Sequence, residues 1–171
     1  MKYSFALLLS LILINASYSQ TKEEALRDAK ITAQATLDMD FKTVLKHTYP
    51  PILKLMGGEE AATDFIKQTF ENMESQGFVF EKADVQEVSE VIKEHGQYRC
   101  YSHSINVMKM GDQRITSKSY LLGIYDEDKK IWYFLEAEKL KNKALADQIL
   151  PDFKTSLNIP KDDMTFEDIK D

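Results

Sequence analysis

Residues 97–138 decide the fold: Gln97–Met110 reads QYRCYSHSINVMKM, Gln113–Asp126 reads QRITSKSYLLGIYD, and Lys130–Glu138 reads KIWYFLEAE. Two short polar breaks separate the three segments, Gly111-Asp112 and Asp126-Glu127-Asp128-Lys129. Each segment is rich in β-branched and aromatic residues, and turn residues bound each one, which together predict an antiparallel meander. A meander cannot bury its faces alone, so the chain before and after it must supply the cover.

Working outward toward the N-terminus, Phe78-Val79-Phe80 opens another strand-like region that continues through Val85, Val88, Val91 and Ile92 to His95-Gly96. Its polar interruptions predict two short strands or one bulged strand. Before it, Ala62, Phe65, Ile66, Thr69, Phe70 and Met73 recur at the spacing of one helical face, and Gly77 is placed to end that helix. A shorter helix holds Phe41, Val44 and Leu45, with Asp40 as its cap. Pro50-Pro51 ends it, and Gly57-Gly58 stops a further turn over Ile52 to Met56. The first helix begins at Thr21-Lys22-Glu23-Glu24, a capping-box pattern. It carries Ala25, Ala29, Ala33 and Leu37 in one stripe, small enough for close approach to a partner surface. Beyond the meander, Leu140 to Leu150 is helix-like and Pro151 closes it. Residues 152–171 scatter Phe153, Leu157, Ile159, Met164, Phe166 and Ile169 among acidic residues, a pattern that predicts a wrapping extension or a contact with a second subunit. The fold class is therefore α+β: N-terminal helices on a curved antiparallel sheet, followed by a C-terminal helical and irregular extension.

The first nineteen residues read as an export signal. Lys2 supplies the positive end, Phe5 to Ile14 the apolar centre, and Ser17-Tyr18-Ser19 the small residues before Gln20. A run of about ten apolar residues is short of the roughly 20 that a membrane span requires. The expected organisation is a signal peptide over 1–19, one domain over 20–140 and the extension over 141–171, exported to the periplasm or outside the cell, with no membrane insertion after cleavage. A formal net charge of −6 lacks the basic footprint that nucleic acid demands. The single cysteine, Cys100, has no internal partner for a disulfide and reads as a small buried hydrophobe.

Helix, short helix, helix and then a run of strands resembles the nuclear-transport-factor-two-like superfamily, the cystatin-like cone that also houses polyketide cyclases and ketosteroid isomerases. The resemblance is carried by the helix from Thr21 to Leu37, Asp40-Phe41, His47-Thr48-Tyr49-Pro50, Gly57-Gly58 and Ile131-Trp132-Tyr133-Phe134, over roughly residues 21–138. It is strongest to exported bacterial members, many without an assigned activity. The resemblance implies a sheet wrapped over the first and third helices, an apolar pocket between them and a homodimer formed through the sheet. The catalytic pattern of the isomerases and cyclases has no local motif in this chain to align on.

Strand alternation nominates site residues. Tyr101, His103, Ile105 and Val107 share one face of their strand, Tyr120 shares one with Leu122 and Ile124, and Trp132 shares one with Phe134 and Glu136. If the faces bearing Tyr101, His103, Tyr120, Trp132, Phe134 and Glu136 point inward, they line a ligand pocket. An imidazole, a phenol and a carboxylate would then serve as base, donor and orienter. His47, at the end of the second helix, is a second candidate base. The expected function is binding of a small apolar ligand or an accessory role. The alternatives are an isomerase, cyclase or dehydratase using His103 or His47 with Tyr101 and Glu136, and a non-catalytic interaction module. No cofactor is expected. The three histidines (His47, His95, His103) lack metal-ligand spacing, so no metal is expected either. Asp126-Glu127-Asp128 lacks the glycine and distal glutamate of a calcium loop and reads as a turn.

Overall fold

A computed structural model describes residues 21–169; the expected export signal lies outside them. Residues 21–37 form helix α1, helical already at Thr21. Helices α2 (Phe41–Lys46), α3 (Pro50–Leu55) and α4 (Glu59–Ser75) follow. The sheet then runs through β1 (Phe78–Val88), β2 (Ile92–Glu94), β3 (Gln97–Met110), β4 (Gln113–Asp126) and β5 (Ile131–Glu136). A 3-10 turn over Ala137–Lys141 leads to α5 (Lys143–Ile149), and the chain ends in β6 (Asp163–Asp168).

The helix boundaries follow local chemistry. Asp40 caps α2 by accepting from the Thr43 amide at 3.2 Å. Proline stands in the first turn of α3, where no intrahelical N–H is needed. Gly57 and Gly58 turn between α3 and α4 at φ of 93° and 103°, a region that side chains with a Cβ avoid. Helix α4 lies more loosely than its periodicity implies. Ala62 is its one fully covered residue, Phe70 sits between Phe41 and Phe80, and Phe65 is 62% exposed.

The sheet is antiparallel and is built on two 14-residue strands, β3 and β4, joined by a two-residue turn. The outer edge of β3 is shared by β1 and β2, and that of β4 by β5 and β6. The region expected as two strands or one bulged strand is both. β1 carries register shifts between Phe80 and Lys82 and between Val85 and Glu87, and β2 is separate. Such bulges bend a strand and increase its twist. Each break along an edge leaves a central-strand amide without a ladder partner, and a side chain fills it. At the β1–β2 break Ser89 Oγ accepts from the Tyr101 amide at 3.0 Å. At the β5–β6 break Asp162 Oδ1 accepts from the Tyr120 amide at 3.0 Å.

Both faces of the sheet are covered. On the helix side, Ala25 and Ala29 of α1 pack on Val85, Val88, Cys100, Trp132 and Phe134. On the outer side, Leu122, Ile124 and Leu135 pack under Leu140, Ala146, Ile149 and Leu150, with Phe153, Leu157 and Ile159 around them. Residues 141–169 are therefore part of the fold: they cover the outer face and then add β6 to the sheet. Arg99 ties the crossing down by donating to the Lys154 carbonyl at 2.9 Å, and Glu94 accepts from the Ser156 amide at 3.0 Å.

Two measurements test this packing. Ending the chain at Leu150 uncovers the outer-face core and should lower stability by about 3 kcal/mol or more, read as a shift in the urea midpoint. An unchanged midpoint would make the extension an ornament. Cys100 is fully buried, and burial pushes its thiol far above the ordinary range. It should therefore resist a thiol reagent at pH 8 in the native protein and react on unfolding. Rapid native labelling would contradict the placement of β3.

Candidate functional site

The first helix meets two kinds of surface along its length. Its N-terminal half sets Ala25 and Ala29 against large side chains, Trp132 and Phe134, and the space is filled. Its C-terminal half sets Ala29, Thr32, Ala33 and Thr36 over small side chains of the sheet: Ala83 from β1, Ser102 and Ser104 from β3, Ser117 and Ser119 from β4. Small residues facing small residues cannot close the gap, and a cavity of about 350 Å³ remains. Phe80, Met108, Leu121 and Phe134 supply the apolar part of the wall, and Glu136 and Asp162 are the charged residues in it. The volume lies in the range of small-molecule sites, at its low end.

The cavity's polar groups are arranged by strand register. Ser102 stands opposite Leu121, Ser104 opposite Ser119, and Asn106 opposite Ser117, so hydroxyls and an amide form a ladder across β3 and β4. Asn106 Nδ2 donates to Ser119 Oγ at 2.9 Å. On the helix side, Thr32 and Thr36 donate their hydroxyl protons to the carbonyls of Asp28 and Thr32, at 2.9 and 3.0 Å. Ser102 is fully buried, and its hydroxyl has no hydrogen-bond partner. The same lack of a partner holds for His103 Nε2 and Trp132 Nε1, which lie outside the cavity lining.

The helix is held over this cavity by a buried acid. Asp28 is 3% exposed; its Oδ2 accepts from the Trp132 amide at 3.1 Å, and its Oδ1 accepts from Arg27 Nη2 at 2.9 Å. Arg27 lies largely in solvent, and its hydrogen bond and charge attraction to Asp28 raise its pKa. Trp132 in turn lies across Gly123, where an added Cβ would stand 2.8 Å from Cys100 Sγ and 3.3 Å from the Trp132 ring. Glycine at 123 is thus a requirement of space.

The nominated residues divide between four places. Phe134 and Glu136 line the cavity, and Trp132 is buried in the adjoining core. Tyr101, His103 and Tyr120 do not line it. They lie on the opposite face of the sheet, where the His103 ring stacks on Tyr120 at 4.9 Å and Tyr101 meets Tyr120 edge-on at 5.9 Å. His103 Nδ1 is 3.9 Å from Glu87 Oε1. The inward parity of β3 is Cys100, Ser102, Ser104, Asn106 and Met108, the more polar of the two, because the cavity there admits polar groups that a filled core would reject. His47 is also elsewhere. Buried at the free edge of β5, it donates from Nδ1 to the Trp132 carbonyl at 3.0 Å, while its own carbonyl accepts from the Phe134 amide at 2.7 Å. It laces residues 47–49 to that edge and does not face the cavity.

Ser102, Ser104, Asn106, Ser117 and Ser119 were not nominated from the sequence. Their signal was alternation of short polar residues on facing strands, readable once the β3–β4 register is known. Asp162 and Asp28 carried no local signal. Asp126 Oδ1 accepts from the amides of Asp128 and Lys129, which makes that segment a turn. Among the described residues no cluster of three or more His, Cys, Asp or Glu is placed to hold a metal ion, and no helix is long and apolar enough to cross a membrane. A scan against protein-family models and a search of curated proteins return no match, so fold and cavity carry the functional argument.

The tether is testable. Asp28→Ala orphans the Trp132 amide and should cost about 2–4 kcal/mol in chemical denaturation. Asp28→Asn keeps an acceptor oxygen and should cost clearly less. Equal losses would assign the effect to charge and not to the hydrogen bond.

Proposed function

We propose that this chain is an exported, single-domain binding protein of the nuclear-transport-factor-two-like cone type, holding one small, partly apolar molecule beneath α1. The observation that carries this reading is a cavity of about 350 Å³ between α1 and the sheet, walled by two facing rows of small residues. Nothing in the packing of a purely structural module requires two facing rows of small residues, whereas a ligand site does. The order of helices and strands, and the cavity's place between α1 and the sheet, support the family reading. Half-buried Tyr101, Ile105, Val107 and Tyr120 on the outer face support association of two copies through the sheet.

Catalysis by an imidazole base finds less support. His103 is separated from the cavity by the sheet itself, and His47 lies at the β5 edge outside the cavity lining. A base must reach the proton that it removes, and neither ring does so in this arrangement.

Thermal unfolding with a panel of small amphiphiles tests the binding reading, together with native mass spectrometry of protein purified from its host. A ligand at 100 times its Kd should stabilise by about 2.7 kcal/mol, raising Tm by roughly 5–10 °C. Ser104→Leu fills the cavity and should abolish that shift while leaving the unliganded Tm unchanged or higher. If no small molecule co-purifies and no panel member raises Tm, the binding reading fails. It fails equally if every shift survives Ser104→Leu.

A further inference from the structure

The hydrogen-bonding polarity of the cavity wall says what kind of occupant it takes. Thr32 and Thr36 have already donated their protons to helix carbonyls, and what they still offer inward is oxygen lone pairs. Asn106 has donated one Nδ2 proton to Ser119 and keeps a second N–H beside its carbonyl oxygen. The charged residues of the lining, Glu136 and Asp162, are both carboxylates, and the lining contains no lysine, arginine or histidine. Serine hydroxyls and the Asn106 amide line the compartment as both donors and acceptors, and its charge is all negative.

The two carboxylates reach the same cavity lining for a topological reason. β4 exchanges β6 for β5 as its neighbour between Lys118 and Leu121. Asp162 fills that break by accepting from the Tyr120 amide, and Glu136 is the partner of Leu121 in the next position. Two cations stand nearby. Lys139 is 3.6 Å from Glu136 in a pair about 60% exposed at both ends, loose enough for a competing ammonium to displace. Lys141 is taken by Glu138. Asp162 is exposed as a residue, yet burial of its carboxyl raises its pKa, with the Tyr120 amide opposing and the charge of Glu138 adding to the rise. The charge of Lys141, itself paired with Glu138, opposes the rise least.

We infer that the occupant is a primary amine on a short apolar body, its ammonium between Glu136 and Asp162 at the rim and its apolar part against Ala33, Leu121 and Phe134. This rests on the binding reading above and specifies its ligand class. Anionic amphiphiles are excluded by the same charges, and a net charge of −6 draws cations toward the molecule from solution.

The test compares three probes sharing one tail, octylamine, 1-octanol and octanoate, titrated at pH 7 and followed by the emission of Trp132. Octylamine should bind about tenfold more tightly than octanol, with octanoate weakest, and the preference should shrink as salt is raised. In the double variant Glu136→Gln, Asp162→Asn the amine's preference over octanol should vanish; the amide side chain introduced at position 162 retains an oxygen to accept from the Tyr120 amide. If octanol or octanoate binds as tightly as the amine, or if the double variant keeps the preference, the amine inference is overturned. The cavity reading then stands on octanol binding that Ser104→Leu abolishes. Amine binding insensitive to Ser104→Leu would be adsorption at the acidic surface and would also overturn the inference. Failure of all three probes to bind would overturn both readings.

Discussion

A single buried carboxylate fixes where the first helix lies. Asp28 takes the Trp132 amide, at the start of β5, and so pins the middle of α1 to the sheet. An isolated buried charge would be untenable, but Arg27 pairs with it from the solvent side, and the β5 backbone satisfies it from within. From that point both halves of α1 have their fate set. One half closes on Trp132 and Phe134, and the other half is suspended over serines.

The two long central strands explain much of the remainder. Neither is matched along its whole edge by one partner, so each edge is shared by two shorter strands, and the breaks must be satisfied individually. Ser89 does so on one side and Asp162 on the other. The second break brings a carboxylate from the C-terminal segment into the lining of the compartment under α1. The C-terminal segment thereby does two jobs: it buries Leu122, Ile124 and Leu135 on the outer face, and it completes the rim of the cavity.

The outer face also shows how apolar pattern and cavity wall can part company. Tyr101, His103 and Tyr120 form a stacked cluster on the side away from α1, among residues that look more like a core than do the serines inside. Polar residues face inward because an unfilled compartment asks for hydrogen-bonding groups as well as apolar wall. A core filled at ordinary density would have reversed the choice.

Much of this architecture was legible in the chain alone. The meander, the bulged strand before it, the Asp40 cap and the Gly57-Gly58 break are local features, set by side-chain shape and by hydrogen bonds a few residues apart. The doubled apolar pattern of β4 and β5 likewise required cover on both faces. Which parity of β3 points toward α1 was not legible, because both alternations carry apolar and polar residues, and the choice depends on what stands across from them. The pairing of Asn106 with Ser119 and the meeting of Asp28 with Trp132 span 13 and 104 residues of sequence, and Asp162 joins Glu136 in the cavity lining from beyond α5. Such contacts arise from register and chain path, which no local stretch encodes. The sequence by itself determined the elements and their amphipathic faces; the tertiary structure decided which small residues confront one another, and so where the cavity lies.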